Sequence, residues 1–273
     1  MVVAIKAWLS ALPSNSKRTA YGAKGVGAKM TYCVGMKLEQ GLVFMSDTRT
    51  NSGVDNISTF RKMHSFHKAD DRYITIMTAG NLATTQTIIS LLAERTKAPE
   101  DRNPSILSAP SMFQVAQIIG DLLRDTIRGR IESGYEAEKT FNATLIVGGQ
   151  IKGMEPRLFM IYPEGNFIEA SDDTPFFQIG ETKYGRPILI RGFQSDMSFE
   201  RAVKLLMVSF DSTMAANLSV ALPLDMMILP KDAFEPLQQR RIADNDPYFR
   251  SISSGWSDAL RNAFYDLPDY VIE

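Results

Sequence analysis

The chain has 273 residues, of which 44% are hydrophobic and 22% charged, values ordinary for a globular domain that exclude collagen, coiled-coil arrays and extended disorder. Lys and Arg number 30 against 31 Asp and Glu, so the net charge of −1 gives no basic field to draw in nucleic acid. The single cysteine, Cys33, cannot form an intrachain disulfide, which fits a reducing cytoplasm, and no apolar run approaches the ~18 residues of a membrane span.

The first stretch differs from the rest. It carries Lys6, Lys17, Arg18, Lys24 and Lys29 and no acidic residue, with Gly22, Gly25 and Gly27 toward its end. Its apolar start, Val2 to Leu12, is interrupted by Lys6 and is followed by no small-residue cleavage site, unlike a signal peptide. Residues 1–30 are therefore expected to be a dispensable extension, and residues 31–273 a single domain. From Thr31 onward the pattern becomes regular. Thr31–Leu38 reads as a strand, Glu39-Gln40-Gly41 as a turn and Leu42–Asp47 as the hairpin partner. A loop spans Asn51–Asn56, and strands follow at Phe60–Phe66 and Tyr73–Ala79. After the break at Gly80-Asn81, Leu82, Thr85, Ile89 and Leu92 recur with helical spacing. Beyond a polar loop at Lys97–Pro110, Met112, Val115, Ile119, Leu122 and Thr126 mark a second helix. Strands are expected at Ala143–Gly148, Arg157–Tyr162, Asn166–Ala170 and Phe176–Ile179, and helices at Tyr184–Gly192 and Phe199–Met214. The last strand is read at Leu224–Leu229, before a helix with Ile252, Trp256, Leu260 and Phe264 in register.

Helices in adjacent pairs argue against a doubly wound parallel sheet. They suit an α/β (α+β) fold of two antiparallel sheets face to face, with a helix pair on each outer side.

Chemistry concentrates in four short segments. Thr31 heads the first strand; if it were N-terminal, its α-amine, with a pKa of about 7.7–8.0, would lie beside its hydroxyl and could take the hydroxyl proton. A threonine there otherwise serves only β-propensity. Asp47 ends the second strand, where turn formers are usual. Lys62 lies in Phe60-Arg61-Lys62-Met63, where a lysine usually snorkels. Gly80 stands between a buried strand and a helix start, where free amides bind oxyanions or simply begin a helix. The two histidines, His64 and His67, fall on opposite faces of a strand and make a poor metal pair. Cys33 inside an apolar strand reads as a core residue. The absence of a phosphate-binding G-x-x-x-x-G-K-[ST] motif indicates that the chain does not hydrolyse ATP itself.

Together these segments resemble proteasome β-subunits and the HslV-type protease subunit. The stretches TYCVG, GLVFMSDTRTN, FRKMH, TAGNLATTQ, QIGETKYG and SFDSTMAANLSVALPLD look closest to the bacterial Anbu branch of that family. The resemblance, from about Met30 to the C-terminus, implies an N-terminal-nucleophile (Ntn) hydrolase with a four-layer αββα sandwich. It implies Thr31 as nucleophile with its α-amine as base, Lys62 as the catalytic lysine, Asp47 as the carboxylate orienting it, and Gly80 as the oxyanion-hole amide. Thr50, Phe60, Thr78, Leu82 and Gln86 fall at positions that line the specificity pocket. Three departures stand out. The loop before Lys62 is one residue shorter than in HslV-type proteins. Glu181, in Gly180-Glu181-Thr182, replaces the family's Ser beside the nucleophile and brings a negative charge. The family's Asp-x-x-Ser element appears as Ala216-Asn217-Leu218-Ser219, which keeps Ser219 without the Asp.

The resemblance further implies a cytoplasmic threonine peptidase without cofactor or metal, acting on peptides or unfolded proteins inside a large homo-oligomer. A separate ATPase partner is compatible with it; nucleic acid and membrane are not expected. Two other readings stand beside it: an N-terminal-Thr amidohydrolase on a small amide or γ-glutamyl-like bond, favoured by Glu181, and a structural ring subunit with a weak site. Thr31 reaches the N-terminus either by translation from Met30 with Met removal, which the small following residue favours, or by cleavage of a propeptide.

Overall fold

The computed structural model describes residues 31–51, 57–97, 104–132 and 141–272. The 1–30 extension with Met30, the 52–56 loop and residues 98–103 of the polar loop lie outside them.

Two five-stranded antiparallel sheets make the centre. The first has the order β10 (Phe176–Gly180), β1 (Tyr32–Leu38), β2 (Gly41–Asp47), β11 (Leu224–Pro230) and β12 (Gln238–Ile242). The second runs β5 (Met63–Lys68), β6 (Arg72–Gly80), β7 (Ala143–Ile151), β8 (Arg157–Ile161) and β9 (Phe167–Glu169). Helices α1 (Leu82–Lys97) and α2 (Met112–Glu132) cover the second sheet; α3 (Arg186–Gly192) and α4 (Phe199–Ala216) cover the first. A further helix, α5 (Pro247–Tyr265), packs on α4. Three buried apolar clusters fill the three spaces between these four layers.

The strands divide their side chains between two cores. On β1, Tyr32, Val34, Met36 and Leu38 face the helices, while Cys33 faces the opposite sheet. On β2, Val43 and Met45 point outward and Leu42 and Phe44 inward. Both faces are buried, so these strands are nearly continuous apolar runs. Gly148 gives Phe44 its room, because a Cβ there would press on that ring at 2.7 Å.

The structure corrects the expected elements in two places. Leu224–Leu229 is not the last strand: β12 follows and pairs with β11 from Leu224↔Ile242 to Ile228↔Gln238. The segment between β2 and β5 holds a small hairpin of β3 (Arg49–Asn51) and β4 (Ile57–Thr59), and the strand expected from Phe60 begins at Met63. The expected C-terminal helix is present as α5; Ile252 packs against the core and Phe249 is buried, while Leu260 is 51% and Phe264 72% exposed.

Candidate active site

The head of β1 is held from three sides. Asp47, at the end of the paired strand β2, accepts a hydrogen bond at Oδ1 from the Tyr32 amide, 2.9 Å away. This ties its carboxylate to the peptide unit that begins at Thr31. The Lys62 ammonium donates to both Asp47 oxygens, at 2.8 and 2.9 Å, and to the Arg49 carbonyl at 2.7 Å. The Thr78 amide in turn donates to the Lys62 carbonyl at 3.0 Å, which fixes this residue beside β6. Asp47 is 0%, Lys62 5% and Thr31 9% exposed, so the pair is shielded and Thr31 sits at the edge of the interior. Burial pushes the Asp47 carboxyl up to about 6, against the Lys62 charge and the bonds from the Tyr32 and Arg49 amides.

On the other side, β10 approaches Thr31 closely. The Glu181 amide donates to the Thr31 carbonyl at 2.6 Å. Gly180 has φ +83°, and a Cβ there would collide with that same carbonyl oxygen. Only glycine satisfies both demands. Gly80 likewise has φ +113° and lies against the backbone of Asn142 and Ala143, where β6 turns into α1.

The half-buried Glu181 side chain does not stand alone. Its Oε1 accepts from the Lys183 amide at 3.0 Å and its Oε2 from Asn217 Nδ2 at 3.1 Å. Asn217 Oδ1 then accepts from the Ser219 hydroxyl at 2.6 Å and from the Ser219 amide at 3.0 Å. Glu181, Asn217 and Ser219 are therefore joined by hydrogen bonds in one chain. Asn217 was not singled out as a site residue in the sequence. The signal was its place beside the position where the family's Asp is missing.

Beneath Thr31, Tyr32 is fully buried and holds the strand head to the helical layer. Its phenol oxygen is 2.7 Å from Ser209 Oγ on α4 and accepts from Gln178 Nε2 on β10 at 2.6 Å. Burial pushes this phenol up to about 12.

The expected pocket residues lie on the segments that flank the site. Thr78 is buried on β6, Phe60 is half-buried and its amide closes onto the Thr48 carbonyl at 2.8 Å. Leu82 and Gln86, half-buried and exposed, are one turn apart at the start of α1. Thr50 belongs to β3, and its side chain lies outside the described residues. The Cys33 thiol is buried, contacts the Thr78 carbonyl at 3.8 Å and is pushed up by desolvation, which makes it a core group. His64 is half-buried and burial lowers its imidazole. Among the described residues no cluster of three metal-ligating side chains occurs, and no helix is long and apolar enough to cross a membrane.

Two face-to-face antiparallel sheets, each covered by a helix pair, with Thr31, Asp47 and Lys62 grouped at the head of β1, define an Ntn-hydrolase fold. A family model described as "Proteasome subunit" matches residues 29–221. The proteasome subunit beta of Methanopyrus kandleri is 27% identical over 177 residues, covering 65% of this chain and 76% of that one. The Anbu protein (ancestral beta-subunit) of Yersinia bercovieri superposes with a TM-score of 0.82 at 48% identity, over 89% of this chain and all of that one. The Pseudomonas aeruginosa Anbu complex, solved as a helical assembly, gives a TM-score of 0.82 at 41% identity, over 88% of this chain and 98% of that one. The chain belongs to the proteasome subunit family, in its Anbu branch, and is a proteasome-like Ntn peptidase subunit.

Proposed function

We propose that the chain is a threonine peptidase subunit that cleaves peptide bonds with Thr31 as its N-terminal nucleophile, inside a homo-oligomer in the cytoplasm. The observation that carries this reading is the bonding of Asp47 both to the Tyr32 amide and to Lys62. It ties the Lys62–Asp47 pair, through the Asp47 carboxylate, to the peptide unit that follows Thr31, which supports a role for the pair at that residue.

In this reading the Thr31 hydroxyl gives its proton to the Thr31 α-amine and its Oγ attacks the substrate carbonyl. The Lys62 charge favours the neutral amine and the developing alkoxide. The Gly80 amide receives the oxyanion. When the intermediate collapses, the Thr31 α-ammonium gives that proton to the departing nitrogen, the C–N bond breaks and an ester remains on Oγ. Water, deprotonated by the Thr31 α-amine, attacks that ester, and the ammonium returns its proton to Oγ as the acid leaves. Glu181, Asn217 and Ser219 orient the amine from the β10 side. Thr50, Phe60, Thr78, Leu82 and Gln86 line the pocket for the residue before the scissile bond.

The mechanism requires residues 1–30 to be absent from the active protein, with residues 31–273 forming the one catalytic domain. The family model's match, which starts at residue 29, supports that division. The helical assembly of the Pseudomonas aeruginosa complex supports self-association. A separate ATPase would deliver folded substrates.

The test is a chain beginning at Thr31, incubated with a peptide library and with a Thr-directed epoxyketone. Cleavage together with an intact-mass adduct on Thr31 is expected. Cleavage that survives Thr31→Ala would overturn the assignment. One observation favours a second reading: the half-buried Glu181 carboxylate beside Thr31 suits a substrate that carries an ammonium, so a small-amide hydrolase is the alternative. It predicts turnover of amino-acid amides or γ-glutamyl compounds with no turnover of longer peptides.

A further inference from the structure

We propose that a pocket between the edge strands β5 and β12, beside the Lys62–Asp47 pair, takes an acidic side chain of the substrate, three or four residues from the bond that is cut. The inference rests on the proposed peptidase reading and gives it a specificity determinant.

The pocket encloses about 370 Å3. Arg61 and Met63, at the start of β5, form one wall; Asp225 of β11 with Gln239, Arg240 and Arg241 of β12 form the other. Its charged groups are unequally occupied. Asp225, the one carboxylate in the lining, accepts from both Arg241 Nε and a terminal Arg241 nitrogen, at 2.7 and 2.9 Å. Arg240 is paired with Asp246. Arg61 is exposed and has no ion-pair partner among the described residues. Behind the lining, Ser46 Oγ is fully buried, directly across from Asp225 on the neighbouring strand, and makes no hydrogen bond. Ser65 Oγ, on the same face of β5 as Met63, is also buried without a partner. Arg61 can only donate, and each hydroxyl has a proton to give. A carboxylate accepts without donating, so it complements this set, and its single negative charge matches the one unpaired guanidinium. Met63, 3% exposed, offers an apolar wall to the methylenes of such a side chain.

The register of the first sheet sets the distance. Cys33, Ser46, Asp225 and Arg241 are successive partners across β1, β2, β11 and β12, so they lie on one line over the sheet. Thr31 stands two residues before Cys33, at the same end of the sandwich. With neighbouring strands about 4.8 Å apart, Asp225 lies about 10 Å and Arg241 about 15 Å along that line from β1. An extended peptide advances about 3.3 Å per residue and covers this span in three or four residues. Each wall also adjoins the catalytic pair in sequence: Arg61 precedes Lys62, and Ser46, the partner of Asp225, precedes Asp47. A substrate held at Thr31 and running across the strand ends toward β12 therefore reaches the pocket.

Two measurements test this, one of them independent of turnover. Natively expressed protein carrying Thr31→Ala is titrated with uncharged nine-residue peptides that differ only in holding one Glu or one Gln. The Glu peptide should bind about 10-fold more tightly, the worth of a hydrogen-bonded charge in a partly shielded site. Arg61→Glu should reverse the order: a Lys peptide should then bind more tightly than the Gln peptide, which also shows that the variant is folded. The preference should shrink as salt is raised. In the second measurement the unmodified protein cleaves the same series. The ratio of kcat/KM for Glu over Gln should peak three or four residues from the bond cut, on one side only, and should fall to about one or below in Arg61→Glu. Equal binding of the Glu and Gln peptides, or no binding of either, overturns the proposal; peptide cleavage in the same preparation would leave the peptidase reading intact. A Glu preference that Arg61→Glu leaves unchanged overturns it too, since another group then reads the charge. A preference confined to the residue next to the scissile bond also overturns it. Glu-selective binding that Arg61→Glu reverses, in a protein that cleaves no peptide, supports the carboxylate site and fails the peptidase reading.

Discussion

Lys62 donates to both oxygens of Asp47 and to the Arg49 carbonyl, and both side chains are buried. Removing it leaves a buried carboxylate without its counter-ion, which costs about 3–5 kcal/mol; Asp47→Asn in the same chain should restore much of that in thermal unfolding. For activity, Thr31→Ala should cost at least ~1,000-fold in kcat/KM with the fold kept. Lys62→Ala should lose nearly as much and Asp47→Asn less, with the double variant little worse than Lys62→Ala alone. Full additivity of the two losses would show that they act separately. The pH dependence follows from Asp47, whose carboxyl burial holds up near 6. The unfolded value is about 3.9, so the stability contributed by the protonated group is complete below about 4 and is lost as pH rises through about 6. Asp47→Asn should flatten unfolding stability across that window. In kcat/KM, the amine alone gives a slope of about one in log rate against pH; below about 6 the wild type should steepen toward about two, and Asp47→Asn should not. Asn217 has a test of its own. Its amide nitrogen faces Glu181 and its amide oxygen faces Ser219, so the hydrogen bonds run one way. Glu181→Gln and Asn217→Asp each disturb that direction, the second by setting two carboxylates together. Combined, the glutamine amide donates to the aspartate, which still accepts from Ser219, so the double variant should exceed both singles in rate. A double variant worse than either would show that the chain of bonds has no catalytic direction.

Strand β1 is where the fold and the site meet. It has partners on both sides, β2 and β10, and Tyr32 pins it to α4. Tyr32→Phe keeps the ring against Phe210 but leaves Gln178 and Ser209 without the phenol. A loss of about 1–3 kcal/mol in denaturant unfolding is expected, with a smaller effect on kcat than Lys62→Ala produces. Gly180→Ala adds strain at φ +83° to a collision with the Thr31 carbonyl, so it should lower both stability and activity. Unchanged activity in Gly180→Ala would show that the close approach of β10 is not what places Thr31. The same strands explain what the sequence made legible. Tyr32–Leu38 and Leu42–Asp47 are short apolar runs bounded by turn residues, and the helix pairs keep a clear period, so the layers could be read in order. β12 could not. Gln238-Gln239-Arg240-Arg241 has no apolar alternation, because it is an edge strand facing water; its pairing shows only in space, where Arg241 reaches across to both oxygens of Asp225 at 2.7 and 2.9 Å. The stripe on α5 was legible as a helix because its period is real, though Leu260 and Phe264 at its far end stay exposed. In the candidate site, the spacing of Thr31, Asp47, Lys62 and Gly80 carries the resemblance, whereas the bond from Asn217 to Glu181 joins distant parts of the sequence, and the one local sign of it is the family's missing Asp beside Asn217.

At the scale of the whole molecule, the proposed reading demands a particular start and a particular state. N-terminal sequencing of the natively expressed protein should return Thr31 as its first residue. An active preparation with residues 1–30 still attached would rule out the free-amine mechanism. Light scattering at micromolar concentration should give many times the single-chain mass. The four-layer packing has one more consequence, through Cys33. The chain's single thiol sits on the inner face of β1, fully buried between the sheets, with a raised pKa. Fraying of an edge strand does not reach it; the two sheets must part before a reagent can enter. Thiol labelling in native buffer is thus a clock for whole-sandwich opening: its rate, followed by mass, counts excursions to the globally open state one chain at a time, with no denaturant and no engineered probe. Because β1 carries Thr31 at its head, the same clock reports how long the proposed nucleophile stays in place.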